Sequence, residues 1–171
     1  FQVMSPRHSG KLGVTNLNLN LRELLNPPHP NPKKSKPFIR VGEQILREDD
    51  RVMIVTNDYG KGVFNGDTGK VYRIQPDKKV IVKVHGETPF YVDFLPKEVY
   101  QYLRLAYCTT VHKMQGQETD IIVLPLIDGF RSQLQRNLLY TAITRAKDKV
   151  YIIGDASAVA RSVHNDKVDI R

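Results

Sequence analysis

Apolar and polar positions alternate in two different ways along this chain, and the change from one to the other marks its organisation. "FQVM" is a short apolar strand stopped by Ser5-Pro6, and Gly10 and Gly13 mark a loop. Leu17, Leu21, Leu24 and Leu25 then recur at helical spacing, which predicts an amphipathic helix over residues 14 to 25. "NPPHPNPKKSKP", residues 26 to 37, carries five prolines and three lysines. Proline removes backbone donors, so this stretch reads as a surface linker with few fixed contacts. From Phe38 to Gln101 the pattern shortens. "DRVMIVTND", "GKVYRI", "KVIVKV" and "FYVDF" are β-type runs punctuated by Asn57-Asp58, Asn65-Gly66-Asp67, Pro76-Asp77 and His85-Gly86. Several short strands in so few residues predict a small barrel, SH3-like or OB-like.

After Tyr102 longer elements return. Residues 105 to 114 read as a helix, "DIIVLPL" as a buried strand, "SQLQRNLLYTAITRA" as a helix, "KVYIIG" as a second buried strand and "ASAVARSVH" as a last helix. Continuous apolar strands alternating with helices imply a parallel sheet covered on both faces. The predicted fold class is therefore α/β. A parallel sheet is built from residues 1–37 and 102–171, and a β-barrel over 38–101 is inserted through the proline linker.

Composition adds limits. A chain of 171 residues with a 40% hydrophobic share has a real core. Twenty-six Lys and Arg against eighteen Asp and Glu give a net charge of +8. That is either a soluble basic surface or the mark of a polyanionic partner, and composition leaves both open. Cys108 is the single cysteine, so no internal disulfide forms; this fits a reducing cytoplasm. In "AYCTT" it reads as a small buried residue. No apolar run approaches the ~18 residues of a membrane span. The first residues lack a starting Met and the flanks of a signal peptide, and read as mid-strand, as if the chain belongs to something longer.

Three segments concentrate chemistry. In "TTVHKMQGQE", Thr109 to Glu118, Gly116 is placed for a turn ahead of a strand. Thr and His bond phosphate oxygens, Lys113 neutralises one, and Glu118 accepts a ribose hydroxyl; a solvated, capped loop is the plain alternative. In "LLYTAITRAK", helical spacing puts Leu139, Ala142, Ile143 and Ala146 on a stripe toward the sheet, with Leu138, Thr141 and Arg145 along its flank. A guanidinium at the border of a core is either paired to an acid or aimed at an anion. In "QVMSPRHSGKLG", Arg7, His8 and Lys11 surround two glycines and form either a phosphate cradle or a basic loop. The phosphate loop G-x-x-x-x-G-K-[ST] is absent, and the five histidines are too scattered to suggest a metal site.

Taken together these segments resemble a known family. "LAYCTTVHKMQGQETDIIVLP" followed by "RNLLYTAITRAKDKVYIIG" resembles motifs V and VI of superfamily 1 helicases, the RecD-like branch, to which the exodeoxyribonuclease V alpha chain belongs. "QVMSPRHSGKLGVTNLN" is similar to that branch's motif IV region, and "DRVMIVTNDYGKGVFNGDTGKV" to the start of its SH3-like insertion. The resemblance implies a second RecA-like domain whose sheet is interrupted by an SH3-like barrel, in an ATP-dependent helicase of the bacterial cytoplasm. It implies ATP and Mg2+ held largely by a first RecA-like domain of the same protein, 5′→3′ movement on single-stranded DNA, and nuclease-complex subunits as further partners. Arg145 matches the motif VI arginine that reaches the γ-phosphate, with Thr141 and Tyr140 in support. Gln115, Gly116, Glu118 and Arg7 match nucleotide-side positions. Thr110, His112 and Lys113 match the part of motif V that faces the strand. Two departures stand out: Met114 replaces a small residue, and Arg7 follows Pro6 directly. The 171 residues alone are expected to lack ATPase activity.

The barrel segment interleaves Lys61, Lys70, Arg73, Lys78, Lys79 and Lys83 with Tyr59, Phe64, Tyr72, Phe90 and Tyr91. Such a mixture binds single strands by stacking and phosphate contact. Most of these rings are expected in the barrel core, with Tyr59 and Phe64 exposed. The alternative to a motor is a non-enzymatic nucleic-acid or protein-interaction module built on the barrel.

Overall fold

A computed structural model describes residues 1–42, 44–114 and 116–166. Its contacts divide the chain into two compact units: Phe1–Leu19 with Cys108 onward, and Asn20–Tyr107. The second unit is wider than 38–101 and takes in the proline-rich stretch.

The first unit is built on four parallel strands: β1 (Gln2–Ser5), β9 (Cys108–Thr110), β10 (Thr119–Leu126) and β11 (Ala146–Gly154). Their order across the sheet is β11-β10-β1-β9. Val3 pairs with both Val123 and Cys108, so β1 sits between the two chemistry-bearing segments. Helices α3 (Arg136–Ile143) and α4 (Ala156–His164) accompany the sheet, and Ile122, Leu124, Leu126, Leu139, Ala142 and Ala158 form much of its core.

Four expectations fail in this unit. Residues 105 to 114 are not a helix: β9 lies there, followed by a 3₁₀ turn at His112–Met114. Hydroxyl and β-branched side chains favour extended backbone, and pairing with β1 settles the choice. The helix expected over 132 to 146 is shorter. A 3₁₀ segment (Asp128–Gln133) precedes it, and Ala146 already belongs to β11. Leu138 is buried where Ile143 was expected, and Ile143 is exposed. Finally, β11 is largely exposed, Tyr151 and Ile153 included, because among the described residues it is an edge strand paired only with β10.

The second unit is antiparallel. A hairpin of β2 (Phe38–Val41) and β3 (Gln44–Arg47) accompanies a five-stranded sheet. The sheet strands are β4 (Arg51–Ile54), β5 (Thr68–Ile74), β6 (Val80–Val84), β7 (Phe90–Phe94) and β8 (Leu103–Leu105), in the order β7-β6-β5-β4-β8. Its core is aliphatic: Val52, Ile54, Val71, Val80, Val82 and Val84, closed by Phe94. Tyr72, Phe90 and Tyr91 face outward instead, against expectation. Valines alternating at period two fill the interior, so Tyr72 and Tyr91 fall on the opposite face, while Phe90 shares the side of Val92 and Phe94 and is exposed at the start of β7. Helix α2 (Pro96–Tyr102) was not foreseen, although Pro96 at its first position and Glu98, accepting the Leu95 N–H at 2.7 Å, form a start signal.

Helix α1 (Val14–Leu25) has the expected limits but its buried face is rotated from the leucine stripe, leaving Leu17 and Leu21 half-buried. Leu24 is 75% exposed, whereas Asn18, Arg22 and Asn26, one turn apart, are buried. Each is satisfied. Asn18 donates to the Cys108 carbonyl at 2.8 Å and accepts from its N–H at 2.9 Å, standing in for a neighbouring strand. Arg22 donates to the Ile45 carbonyl at 2.6 Å and pairs with Glu23 at 3.0 Å. Asn26 donates to the Glu48 carbonyl and to the fully buried Asp50, which also accepts from the Tyr107 hydroxyl. Burial holds the Asp50 carboxyl above the usual carboxylate range. The proline-rich stretch is not contact-poor: Lys36 bonds Asn26 at 2.7 Å and pairs with Asp49 at 2.9 Å. Among the described residues no helix is long and apolar enough to cross a membrane.

Candidate functional site

The stretch Val111–Glu118 is polar because its two apolar residues are spent as anchors. Val111 and Met114 are buried in the parallel-sheet core. In a 3₁₀ turn residues three apart share a side, so burying these two turns His112 and Lys113 to solvent. Met114 therefore fills core volume, and its side chain is not part of a ligand surface. Thr110 is buried, and its hydroxyl accepts the Lys113 N–H at 3.3 Å, fixing the start of the turn. Gly116 has φ +84, a left-handed value that glycine adopts at no cost, and the chain there turns toward β10. Gln115 lies outside the described residues.

Register fixes where the predicted residues stand. Ser5 pairs with Thr110, and both are level with Pro125 near the carboxyl end of β10. Thr119, at the amino end of β10, is about 20 Å away at roughly 3.3 Å per residue. At the carboxyl end stand Thr110, His112 and Lys113, with exposed Arg7 donating to the Gly129 carbonyl at 3.4 Å. Glu118 and Arg145 stand at the amino end, joined by the backbone bond from Thr119 N–H to the Arg145 carbonyl at 2.9 Å. Arg7 and Arg145 were expected to face one nucleotide, but the sheet places them at opposite ends.

Arg145 is held closely. Its N–H bonds the Ala142 carbonyl at 3.2 Å in the closing turn of α3, and Ala146 begins β11 directly after it. The Thr141 carbonyl accepts from the Thr144 hydroxyl, tightening the same turn. The side chain is half-buried, and among the described residues Nη2 donates to the Thr144 hydroxyl, at 3.3 Å. Nε is buried without a hydrogen-bond partner among the described residues, and no described carboxylate pairs with the guanidinium. Arg22 shows the structural alternative, a buried arginine whose donors are used on a carbonyl and a carboxylate. A buried donor left unmatched costs about 1–3 kcal/mol. Such a cost at Arg145 fits a site whose anion arrives from outside. Glu118 is exposed and only loosely paired with Lys147, at 3.7 Å. Among the described residues no cluster of three His, Cys, Asp or Glu is arranged to hold a metal.

Sequence reasoning missed Asn18, which holds the edge of β9. Asn16, Asn18 and Asn20 alternate with leucines there, so nothing in the sequence singles Asn18 out.

Comparison with known families gives the class of these two units, a helicase C-terminal domain carrying an SH3 domain. A family model described as the UvrD-like helicase C-terminal domain matches residues 105–153. Another, described as the ATP-dependent RecD-like DNA helicase SH3 domain, matches residues 17–84. The chain is 34% identical over 157 residues to the ATP-dependent RecD2 DNA helicase of Deinococcus radiodurans, covering 92% of this chain and 20% of that protein. It is 28% identical over 117 residues to the RecBCD enzyme subunit RecD of Mycolicibacterium smegmatis, covering 68% of this chain and 20% of that one. In fold it is similar to the Pif1 helicase from Bacteroides solved with ADP-AlF3 and single-stranded DNA. The TM-score is 0.61 at 19% identity, over 96% of this chain and 42% of that one. The chain belongs to the RecD-like helicase family. It spans about a fifth of the length of these curated relatives.

Proposed function

We propose that this chain is the second RecA-like domain, with its SH3 insertion, of an ATP-driven motor that moves on single-stranded DNA in the bacterial cytoplasm. The observation that carries the reading is Arg145, whose main chain is hydrogen-bonded on both sides and whose guanidinium touches the Thr144 hydroxyl but has no acid partner among the described residues. In the reaction, water attacks the γ-phosphorus and the bond to the β,γ-bridging oxygen breaks. Negative charge spreads over the γ-phosphoryl oxygens and the leaving group. A planar cation already in place stabilises that charge without having to reorganise. Gly116 lets the backbone approach, and Glu118 offers an acceptor to a ribose hydroxyl. Mg2+ and the other phosphate contacts fall to a first RecA-like domain of the same protein.

His112 and Lys113 offer a donor and a cation to the strand's phosphates at the other end of the sheet. His112 and Lys113 on the strand side and Glu118 on the nucleotide side lie close in sequence, which supports coupling between the two ends. The 5′→3′ direction and nuclease-complex partners follow from the family resemblance.

The test is Arg145→Ala in the longer protein this reading requires. ATP turnover falls by about 10³-fold or more, while equilibrium binding of a fluorescent ATP analogue stays within a few-fold. Turnover within tenfold of the parent would remove Arg145 from the reaction. The 171-residue chain by itself should show no ATPase activity.

A further inference from the structure

The hairpin of β2 and β3 has two faces of different character. Directly opposite residues of an antiparallel pair point to one side, and successive residues alternate. Ile39 and Leu46 stand opposite each other and are buried in the core of the antiparallel unit. Phe38, opposite Arg47, and Arg40, opposite Ile45, therefore share the other face. There they line a pocket of about 180 Å³, whose second wall is Pro28, Ser35 and Lys36 of the proline-rich stretch.

Both walls are held from behind. The Ser35 hydroxyl donates to the His29 carbonyl at 3.2 Å, and Lys36 is fixed by Asn26 and Asp49. Arg47 donates to the Asn26 carbonyl at 3.2 Å and pairs with Glu23 at 3.0 Å. A pocket already fixed in this way loses little freedom when it is filled. Among the described residues three cations line it and no carboxylate does. Arg40 is exposed and has no carboxylate partner among the described residues. Pro28, Phe38 and Ile45 supply hydrocarbon between these charges.

We propose that this pocket takes an acidic segment of another protein. One bulky apolar side chain of that segment enters between Pro28, Phe38 and Ile45, and the carboxylates flanking it meet Arg40, Lys36 and Arg47. Three cations with no acid in the lining select an anionic partner. At about 180 Å³ the pocket is smaller than the roughly 300–1,000 Å³ that enclose a whole small ligand, and it suits one side chain. A nucleic-acid base fits it less well. Phe38 is the one aromatic ring in the lining among the described residues, so a base stacks on a single face, and Pro28 and Ile45 offer nothing to its polar edge. The pocket lies wholly in the second unit, and its role goes beyond the motor reading.

The test uses the 171-residue chain and the fluorescein-labelled peptide Asp-Asp-Phe-Asp-Asp in an anisotropy titration at fixed salt, beside the same peptide with alanine in place of phenylalanine. The phenylalanine peptide should bind about tenfold tighter or more, since burying its ring adds to an unchanged charge. Phe38→Ala should remove most of that preference, and Arg40→Glu should weaken both peptides about fivefold or more. Both positions are exposed, and circular dichroism checks that the variants fold. Equal affinity for the two peptides would reduce the pocket to a basic surface and overturn the proposal. So would a folded Phe38→Ala variant that keeps the full preference, or an Arg40→Glu variant that binds as the parent does. Labelled oligo-dT should bind Phe38→Ala within about twofold of the parent. If oligo-dT weakens tenfold while the peptide preference stands, the pocket takes a base and the proposal falls.

Discussion

The two ends of the parallel sheet differ in how they hold charge. At the carboxyl end, cations are exposed and their backbone is anchored from below: Val111 and Met114 are buried, and Thr110 caps the turn that displays His112 and Lys113. At the amino end, the cation itself is half-buried on a hydrogen-bonded main chain, and part of its guanidinium is unmatched among the described residues. The first arrangement suits a flexible, exchanging polyanion that slides past. The second suits one anion in one geometry, where a misplaced donor is expensive. These are the two designs that the proposed strand track and nucleotide site call for.

The contrast breaks most sharply at Arg145. Arg145→Lys should fail almost as badly as the alanine change, because an ammonium cannot reproduce the planar fork. Turnover should drop by about 10³-fold with or without DNA. Recovery by lysine to within tenfold would mean that the amino end supplies only charge, and the two ends would then be alike.

The carboxyl end depends on β9, which Asn18 holds by both backbone groups of Cys108. Asn18→Ala orphans a buried N–H and a buried carbonyl, at a cost of about 1–3 kcal/mol each. Cys108 reports the outcome. Burial pushes its thiol pKa up to about 12, so the native protein should resist alkylation near neutral pH. Asn18→Ala should speed labelling in proportion to the stability lost in a denaturant titration. Unchanged labelling would show that the edge of β9 is held by something else.

Sequence pattern located these elements more surely than it oriented them. The leucine repeat marked the limits of α1, yet periodicity does not say which face is covered. Asn18, Arg22 and Asn26 lie inward because each finds backbone or side-chain partners there. The polar run at 111–118 hid a buried pair three residues apart, since a 3₁₀ turn has a different period from an α-helix. In β5 alternation with Val71 turns Tyr72 outward, whereas a bulge turns Arg73 out beside it, and no residue type announces a bulge. At the site, the turn at Gly116 and the border position of Arg145 were legible from spacing. Whether an acid faced that arginine was not, because a pairing across the fold leaves no local trace.

His112→Ala sharpens the comparison from the strand side. One charge-assisted contact to a phosphate lost at an exposed position should lower DNA-stimulated turnover about tenfold and leave basal turnover alone. An equal fall in both would place His112 with the nucleotide and erase the distinction between the ends.

The smallest effect is expected at Lys147. Its ion pair with Glu118 is long, at 3.7 Å, and both side chains are more than half exposed. Exposed pairs of this kind are worth about 0–1 kcal/mol, so Lys147→Met should leave stability nearly unchanged. It should also leave the KM for ATP within twofold, because Glu118 remains free to accept a ribose hydroxyl. Glu118→Gln, by contrast, weakens that acceptor and should raise KM with little change in kcat, the signature of binding lost equally in ground and transition states. If Lys147→Met raised KM as much as Glu118→Gln, the pair rather than the carboxylate would be the working unit. The amino end would then hold its ligand through a surface ion pair, as loosely as the carboxyl end is proposed to hold its strand.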